Sequence, residues 1–430
     1  MTDLELPGGL GPLTGRLRVP GDKSISHRAV LLAALAEGRS SLKGLSAGAD
    51  VAHTVAAVAA CGAQVSGNAG ERATLVVTGG RDHLREPDVV IDVGNSGTAI
   101  RLLAGWCAGF PFLTVLQGDA SIGRRPMDRV AVPLRAMGAT IDGRDGGRLP
   151  PLVVRGGNLH GIDYRLPVAS AQVKAAVLLA GLAADGATTV REDVPTRTHT
   201  EELLARCGAD ISVVGGAVTV RRSRLAPLAL DIPGDPSQAA FWVVAACVVP
   251  GSDLVLEDIY IGPARAGFLD VLLRMGADIG LERRDDTRKT ADIHVRHGPL
   301  RATSVGGAEV PGLIDEIPIL AVAAARAEGT STFSGAAELR VKESDRVQST
   351  VAGLQVLGIG VEARPDGLVV RGNGGQPLPG GRVDAWADHR IAMAMAVAGL
   401  DGTGPTVVAG WDVVATSYPG FEEDLRRCVS

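Results

Sequence analysis

Hydrophobic and polar positions follow one recurring order along this chain. An extended segment runs into a small polar cluster, then a helix-length apolar run, and a glycine-marked turn leads to another strand. The order reads as "LRVPGDKSISHRAVLLAALAEGRSSLKGL", "VVIDVGNSGTAIRLLAGWCAGFPFLTVLQG" and "YRLPVASAQVKAAVLLAGLAADGATTVRE". It returns as "LALDIPGDPSQAAFWVVAACVVPGSDLVLED", "AEVPGLIDEIPILAVAAARAEGTSTFSG" and "RVDAWADHRIAMAMAVAGLDGTGPTVVAG". Self-similarity of this kind marks an array of like modules.

A second helix type alternates with the first, as in "HTVAAVAACGAQV", "RVAVPLRAMGATI", "TEELLARCGADI", "FLDVLLRMGADI" and "STVAGLQVLGIGV", with "FEEDLRRCVS" at the end. The glycines after Cys61, Met137, Cys207, Met275 and Leu357 read as helix-closing residues in a left-handed conformation. Strands such as "TLVVTGG", "PLVVRGG" and "GLVVRGN" follow. Six α/β modules of about seventy residues fill the 430-residue chain, each too small to bury its own faces. That length also predicts two domains.

Composition narrows the function. The chain is 46% hydrophobic with a net charge of −5, which argues against a general binder of nucleic acid or membrane surfaces. Its start, "MTDLELPGG", lacks the basic region of a secretory signal, and "AAFWVVAACVVPG" is too short to span a bilayer. A cytoplasmic protein is expected. The five dispersed cysteines read as buried free thiols, without the spacing of a metal site.

The six apolar helices open on Lys23-Ser24 with Arg28, Asn95-Ser96-Gly97-Thr98 with Arg101, and Ser170-Ala171-Gln172 with Lys174. The other three open on Asp235 with Ser237-Gln238, on Asp315-Glu316, and on Asp388-His389-Arg390. Capping of orphan amides accounts for Ser237, Asp235 and Thr98. It does not account for Lys23, Arg28, Arg101 or Arg390, because cations oppose the positive end of a helix dipole. Their presence fits anions seated at helix starts. The second helix type adds Arg124, Arg125, Arg129, Arg197, Arg340, Lys342 and Arg346, with Lys342 and Arg346 spaced for one helix face. In an acidic chain these cations describe a local, strongly positive small-molecule cleft. The carboxylates Asp315, Glu316, Glu343 and Asp388 stand at the same stations, either as charge balance or as proton carriers.

The clusters "PGDKSISHR", "NSGTAIR", "RRPM", "SAQVK", "IDEIP", "RVKESDR" and "DHRIAMA" occur in order and nearly end to end. They resemble the motifs of the 5-enolpyruvylshikimate-3-phosphate synthase family. The resemblance implies an α/β fold of two inside-out α/β barrel domains, each of three β-α-β-α-β-β repeats, with the active site in the interdomain cleft. It puts one domain at residues 21–233 and the other at 1–20 plus 234–430. The implied reaction moves the enolpyruvyl group of phosphoenolpyruvate onto the 5-hydroxyl of shikimate 3-phosphate and releases phosphate. No cofactor, metal, nucleic acid or membrane is implied, and a monomer is expected.

Carried over by motif, Lys23, Ser24, Arg28, Gln172, Asp315 and Lys342 would bind shikimate 3-phosphate, with Ser170, Ala171 and Arg197 around its phosphate. Gly97, Arg125, Gln172, Arg346 and Arg390 would meet phosphoenolpyruvate, and Lys23 would touch both. Asp315, Glu343 and Lys23 would be catalytic, and glyphosate would occupy the phosphoenolpyruvate place. Two positions depart from patterns seen in the family: Glu338 stands where some members have asparagine, and Thr416 where some have lysine. The resemblance therefore leaves one cation to be supplied elsewhere, with Arg124 or Lys174 as candidates.

Three other readings differ at nameable residues. UDP-N-acetylglucosamine enolpyruvyl transferases carry a cysteine where this chain has Ala120. RNA 3′-phosphate cyclases share related repeats, but the chain has no P-loop signature and only 3% aromatic residues. A non-catalytic anion-binding relative is disfavoured by Asp315 and Glu343.

Overall fold

The structure, a computed structural model, describes residues 2–429. Contacts divide the chain into two compact units, Gly21–Ile232 and Met1–Pro20 with Pro233–Ser430.

The unit Gly21–Ile232 is built around the helices Lys23–Leu35, Gly97–Ala108 and Ala171–Gly181. Every residue from Ser24 to Leu35 is buried, so the first helix presents no outward face. Three four-stranded sheets cover the helices. One runs in the order Ala229–Asp231, Gly38–Lys43, Thr74–Gly79, Gln64–Gly67, and its first pair is parallel while the others are antiparallel. The sheets begun by Ile91–Asp92 and by Asp163–Arg165 repeat that order and pairing. Thr74–Gly79 alternates buried and more exposed residues, as a strand with one face on the core must.

The other unit repeats this plan. Its central helices Pro236–Val248, Ile317–Arg326 and His389–Gly399 are buried along their whole length. Two of its sheets have four strands and the third, Leu4–Leu6, Thr406–Ala409, Gly381–Asp384, has three among the described residues. Near the chain end, Phe421 of helix Phe421–Cys428 stacks on Trp242 with ring centroids 4.9 Å apart. Helices inside and sheets outside make each unit an inside-out α/β assembly.

The chain passes between the units twice, each time just after a strand that pairs within the unit being left. Strand Thr14–Leu17 pairs with Asp253–Tyr260 but leads into helix Lys23–Leu35. Strand Ala229–Asp231 pairs with Gly38–Lys43 but leads into helix Pro236–Val248. The glycines that close the second-type helices have positive φ, from +73° at Gly208 to +104° at Gly138, as the turn requires. All five cysteines are free and buried, and burial pushes the Cys61 thiol up to about 11.

Close helix contact depends on Gly105. A β-carbon there would lie 2.5 Å from Ala176 Cα and closer still to its carbonyl oxygen. Gly105→Ala is therefore expected to destabilise the fold by about 1–3 kcal/mol, the scale of overpacking. A urea midpoint equal to the parent's would contradict this contact.

His27 ties the Lys23 helix to its neighbour. It is fully buried, and its Nδ1 shares a 2.7 Å hydrogen bond with Thr54 Oγ1 on helix Ala49–Ala60. Burial, then the Lys23 and Arg28 charges, hold its pKa well below the ordinary 6.5. The unfolded chain takes up this proton more readily than the folded one. The stability from a neutral His27 is thus complete above the ordinary value of 6.5 and is lost as pH falls toward the lower folded value. Urea titrations of His27→Gln between about pH 7 and 5 should show a shallower loss of stability than the parent. Identical slopes would remove His27 as a cause of acid sensitivity.

Candidate functional site

In the unit Gly21–Ile232, the polar residues gather where the central helices start. Asp22 caps the first helix by accepting from Ile25 N at 2.8 Å, and Lys23 Nζ lies 2.9 Å from Asp50 Oδ2. Arg28 donates to Thr200 Oγ1 at 2.7 Å, Ser24 O at 2.9 Å and Ala171 O at 3.4 Å. Arg197 donates to Ser24 Oγ at 3.4 Å. One step along, Arg101 donates to Gln172 Oε1 and Gln172 Nε2 donates to Thr98 Oγ1, both at 2.8 Å. Gly97 faces Arg125: a β-carbon at 97 would run into Arg125 Nη1, and the arginine is only 6% exposed. Ser170 caps its own helix by accepting from Val173 N at 3.4 Å. Three helix starts and four arginines thus share one polar station, an arrangement that binds phosphate and carboxylate groups.

In the other unit, Asp315 lies between two cations. Its Oδ1 is 3.2 Å from Lys342 Nζ and 3.1 Å from Arg346 Nη1. Arg346 also meets Glu343 Oε2 at 2.5 Å and Asp388 Oδ2 at 2.8 Å. Burial opposes the Arg346 charge, but Asp388, Glu343 and Asp315 outweigh it and raise its pKa. Burial lowers the pKa of Lys342, with Arg346 acting in the same direction while Asp315 and Glu343 oppose, although 28% of its side chain is exposed. Asp388 caps the His389 helix through Arg390 N, and Arg390 Nη1 donates to Asp315 O at 3.1 Å. Carboxylates beside cations, one of them a lysine of lowered pKa, form a set able to move protons next to a bound anion.

Several sequence-level assignments change. Ser96, not Thr98, caps the Gly97 helix, and Thr98 accepts from Gln172 instead. Asp235 caps its helix through Ser237 N, but the Ser237 hydroxyl turns to Glu316 and Arg265. Lys342 and Arg346 do not share a helix face: the helix begins at Arg346 with Asp345 as cap, and Lys342 follows the short turn Ala337–Val341. They meet only because both reach Asp315. Lys174 supplies no cation to an anion site. It is fully buried, with Nζ 2.8 Å from Glu192 and 2.6 Å from Glu201. Arg340 is occupied by Asp345 at 2.7 Å, and Arg124 and Glu338 are exposed.

Asp50, Thr200 and Arg265 went unnoticed in the sequence. Asp50 reads as an ordinary first-turn acid, and Arg265 stands alone in "IGPARAGF", so neither carries a local signal. Among the described residues, no group of three or more His, Cys, Asp or Glu is placed to hold a metal ion. None of their helices is long and apolar enough to cross a membrane.

Comparison with known proteins agrees with this geometry. The profile of the EPSP synthase (3-phosphoshikimate 1-carboxyvinyltransferase) family matches residues 8–425. A 3-phosphoshikimate 1-carboxyvinyltransferase of Alkaliphilus metalliredigens is 46% identical over 421 residues, covering 97% of this chain and 98% of the relative. One from Acidithiobacillus ferrooxidans is 51% identical over 413 residues, covering 95% and 94%. The solved EPSP synthase of Acinetobacter baumannii superposes with a TM-score of 0.88 at 40% identity, covering 99% of this chain and 98% of that one. With its buried helices opening on cations in each unit, and matched along nearly its whole length, this chain belongs to the EPSP synthase family.

Proposed function

We propose that the chain transfers the enolpyruvyl group of phosphoenolpyruvate to the 5-hydroxyl of shikimate 3-phosphate, as a cytoplasmic monomer that needs no metal or cofactor. One observation carries the reading. Asp315, Lys342, Glu343, Arg346 and Asp388, from different repeats, form one hydrogen-bonded group in a chain whose family is named for this reaction.

The chemistry divides between the two clusters. Lys23, Ser24, Arg28 and Arg197, with the amides at Ser170 and Ala171, would take the phosphate and ring of shikimate 3-phosphate. Gly97, Arg125 and Gln172, with Arg346 and Arg390, would take the phosphate and carboxylate of phosphoenolpyruvate. Asp315 accepts the 5-hydroxyl proton while the hydroxyl oxygen bonds to the central carbon of phosphoenolpyruvate. Glu343 delivers a proton to the methylene carbon, which yields a tetrahedral intermediate. Loss of a proton from the new methyl group then expels phosphate and restores the double bond. Lys342 contacts the Asp315 oxygen that would receive the proton, so it would steer the hydroxyl, and Lys23 would balance charge on both ligands.

Phosphate release from phosphoenolpyruvate, dependent on shikimate 3-phosphate and undiminished by EDTA, tests the reading. Folded protein that releases none overturns it. Asp315→Asn should lower turnover ~100-fold or more, the scale for losing a general base, and leave shikimate 3-phosphate binding within about tenfold. Near-parent turnover would remove Asp315 from proton transfer.

Gly97→Ala tests the other cluster. Its methyl group must displace the Arg125 guanidinium. Inhibition by glyphosate should weaken by more than about tenfold, or 1.4 kcal/mol. The apparent affinity for phosphoenolpyruvate should fall as well, while that for shikimate 3-phosphate barely changes. Equal glyphosate inhibition of variant and parent would show that Gly97 lies outside the phosphoenolpyruvate site.

A further inference from the structure

A second charge network adjoins the Asp315 group, and of its members the roles above use only Arg390. Arg265 is 2% exposed, and Nη2 donates to Asp235 Oδ1 at 2.5 Å while Nη1 donates to Ser237 Oγ at 2.6 Å. The Ser237 hydroxyl in turn donates to Glu316 Oε1. Glu316 is 1% exposed, 3.7 Å from Arg265 Nη1 and 3.5 Å from Arg390 Nη1. Two carboxylates and two guanidinium groups therefore alternate, with no net charge, across the starts of all three central helices of that unit.

An isolated buried carboxylate is costly, and here two cations and a hydroxyl offset it. The compensation has a direction. Arg265 is held by three groups of its own unit, whereas Arg390 reaches Glu316 with one nitrogen and the Asp315 carbonyl with the same one. An arginine anchored through one nitrogen keeps the rest of its planar fork for a bidentate anion. We infer that Glu316 is a positioning residue: braced by Arg265 and Ser237, its carboxylate fixes the Arg390 guanidinium to receive the anionic groups of phosphoenolpyruvate. This rests on the proposed function, because it assigns the anion that Arg390 meets. Glu316 touches no substrate and exchanges no proton. It also explains why a carboxylate directly follows Asp315, since the two face different cations.

Glu316→Gln keeps the size and an acceptor for Ser237 but removes the charge that holds Arg390. Its KM for phosphoenolpyruvate should rise about 5- to 30-fold, with KM for shikimate 3-phosphate within about twofold and kcat within about threefold, a loss the size of one charge-assisted contact. A merely structural role would lower the amount of active enzyme without this split. The decisive comparison adds Arg390→Lys. If Glu316 acts through Arg390, Glu316→Gln in that background changes the phosphoenolpyruvate KM less than about twofold, because the contact is already gone. Multiplicative effects, or an unchanged KM in the single variant, overturn the inference.

Should Glu316→Gln fold poorly because Arg265 loses a partner, Ser237→Ala leaves both charges in place and removes only the brace. It should raise the same KM by a smaller factor, and no change there also overturns the inference. Failure of the proposed function looks different: the parent enzyme itself would then release no phosphate.

Discussion

A helix buried along every side can show polar groups only at its ends, and this constraint governs the molecule. The central helices carry alanine, valine and leucine through their length because sheets and sister helices close around them. Whatever the chain does with charge must happen in the first two turns. There, free amides already attract anions, and a short polar cluster can be added without harming the core. The repeat multiplies that opportunity, since several helix starts converge in each unit.

The two units use the opportunity differently. In Gly21–Ile232, Arg28 and Arg101 donate to a hydroxyl, an amide side chain and backbone carbonyls, which steer the guanidinium groups. In the other unit, Arg346 and Arg265 face carboxylates at close range. The first arrangement fixes the direction of the guanidinium groups. The second holds charge near balance, the condition in which a proton can move between neighbouring groups with little change in local field.

Much of this was legible in the chain because periodicity is a global signal. Six recurrences of strand, polar cluster and apolar helix located the helix starts, and glycines such as Gly138 and Gly208 marked where the second-type helices stop. Individual partners were not legible, because they depend on which side chain reaches which. Ser96 and Thr98 are equally good caps by composition, and only the helix start decides that Ser96 caps while Thr98 meets Gln172. Lys342 and Arg346 have helical spacing but straddle a helix boundary. Lys174 looks like its neighbours among the cations, yet Glu192 and Glu201 enclose it from eighteen and twenty-seven residues away. Such pairings at long separation leave no trace in a local pattern.

The discontinuity of the second unit sets an order of events on the ribosome. Strand Thr14–Leu17 is made before Gly21–Ile232, but its partner Asp253–Tyr260 emerges only after the whole of that unit has been synthesised. Leu4–Leu6 waits longer still, for Thr406–Ala409. The unit Gly21–Ile232, whose strands all lie within its own span, can complete its sheets during translation, while Thr14–Leu17 stays unpaired until the next repeat arrives and Leu4–Leu6 until the last. That leading segment is a nascent-chain liability, an edge without a sheet, and the charges of Asp3 and Glu5 suit it to waiting in water.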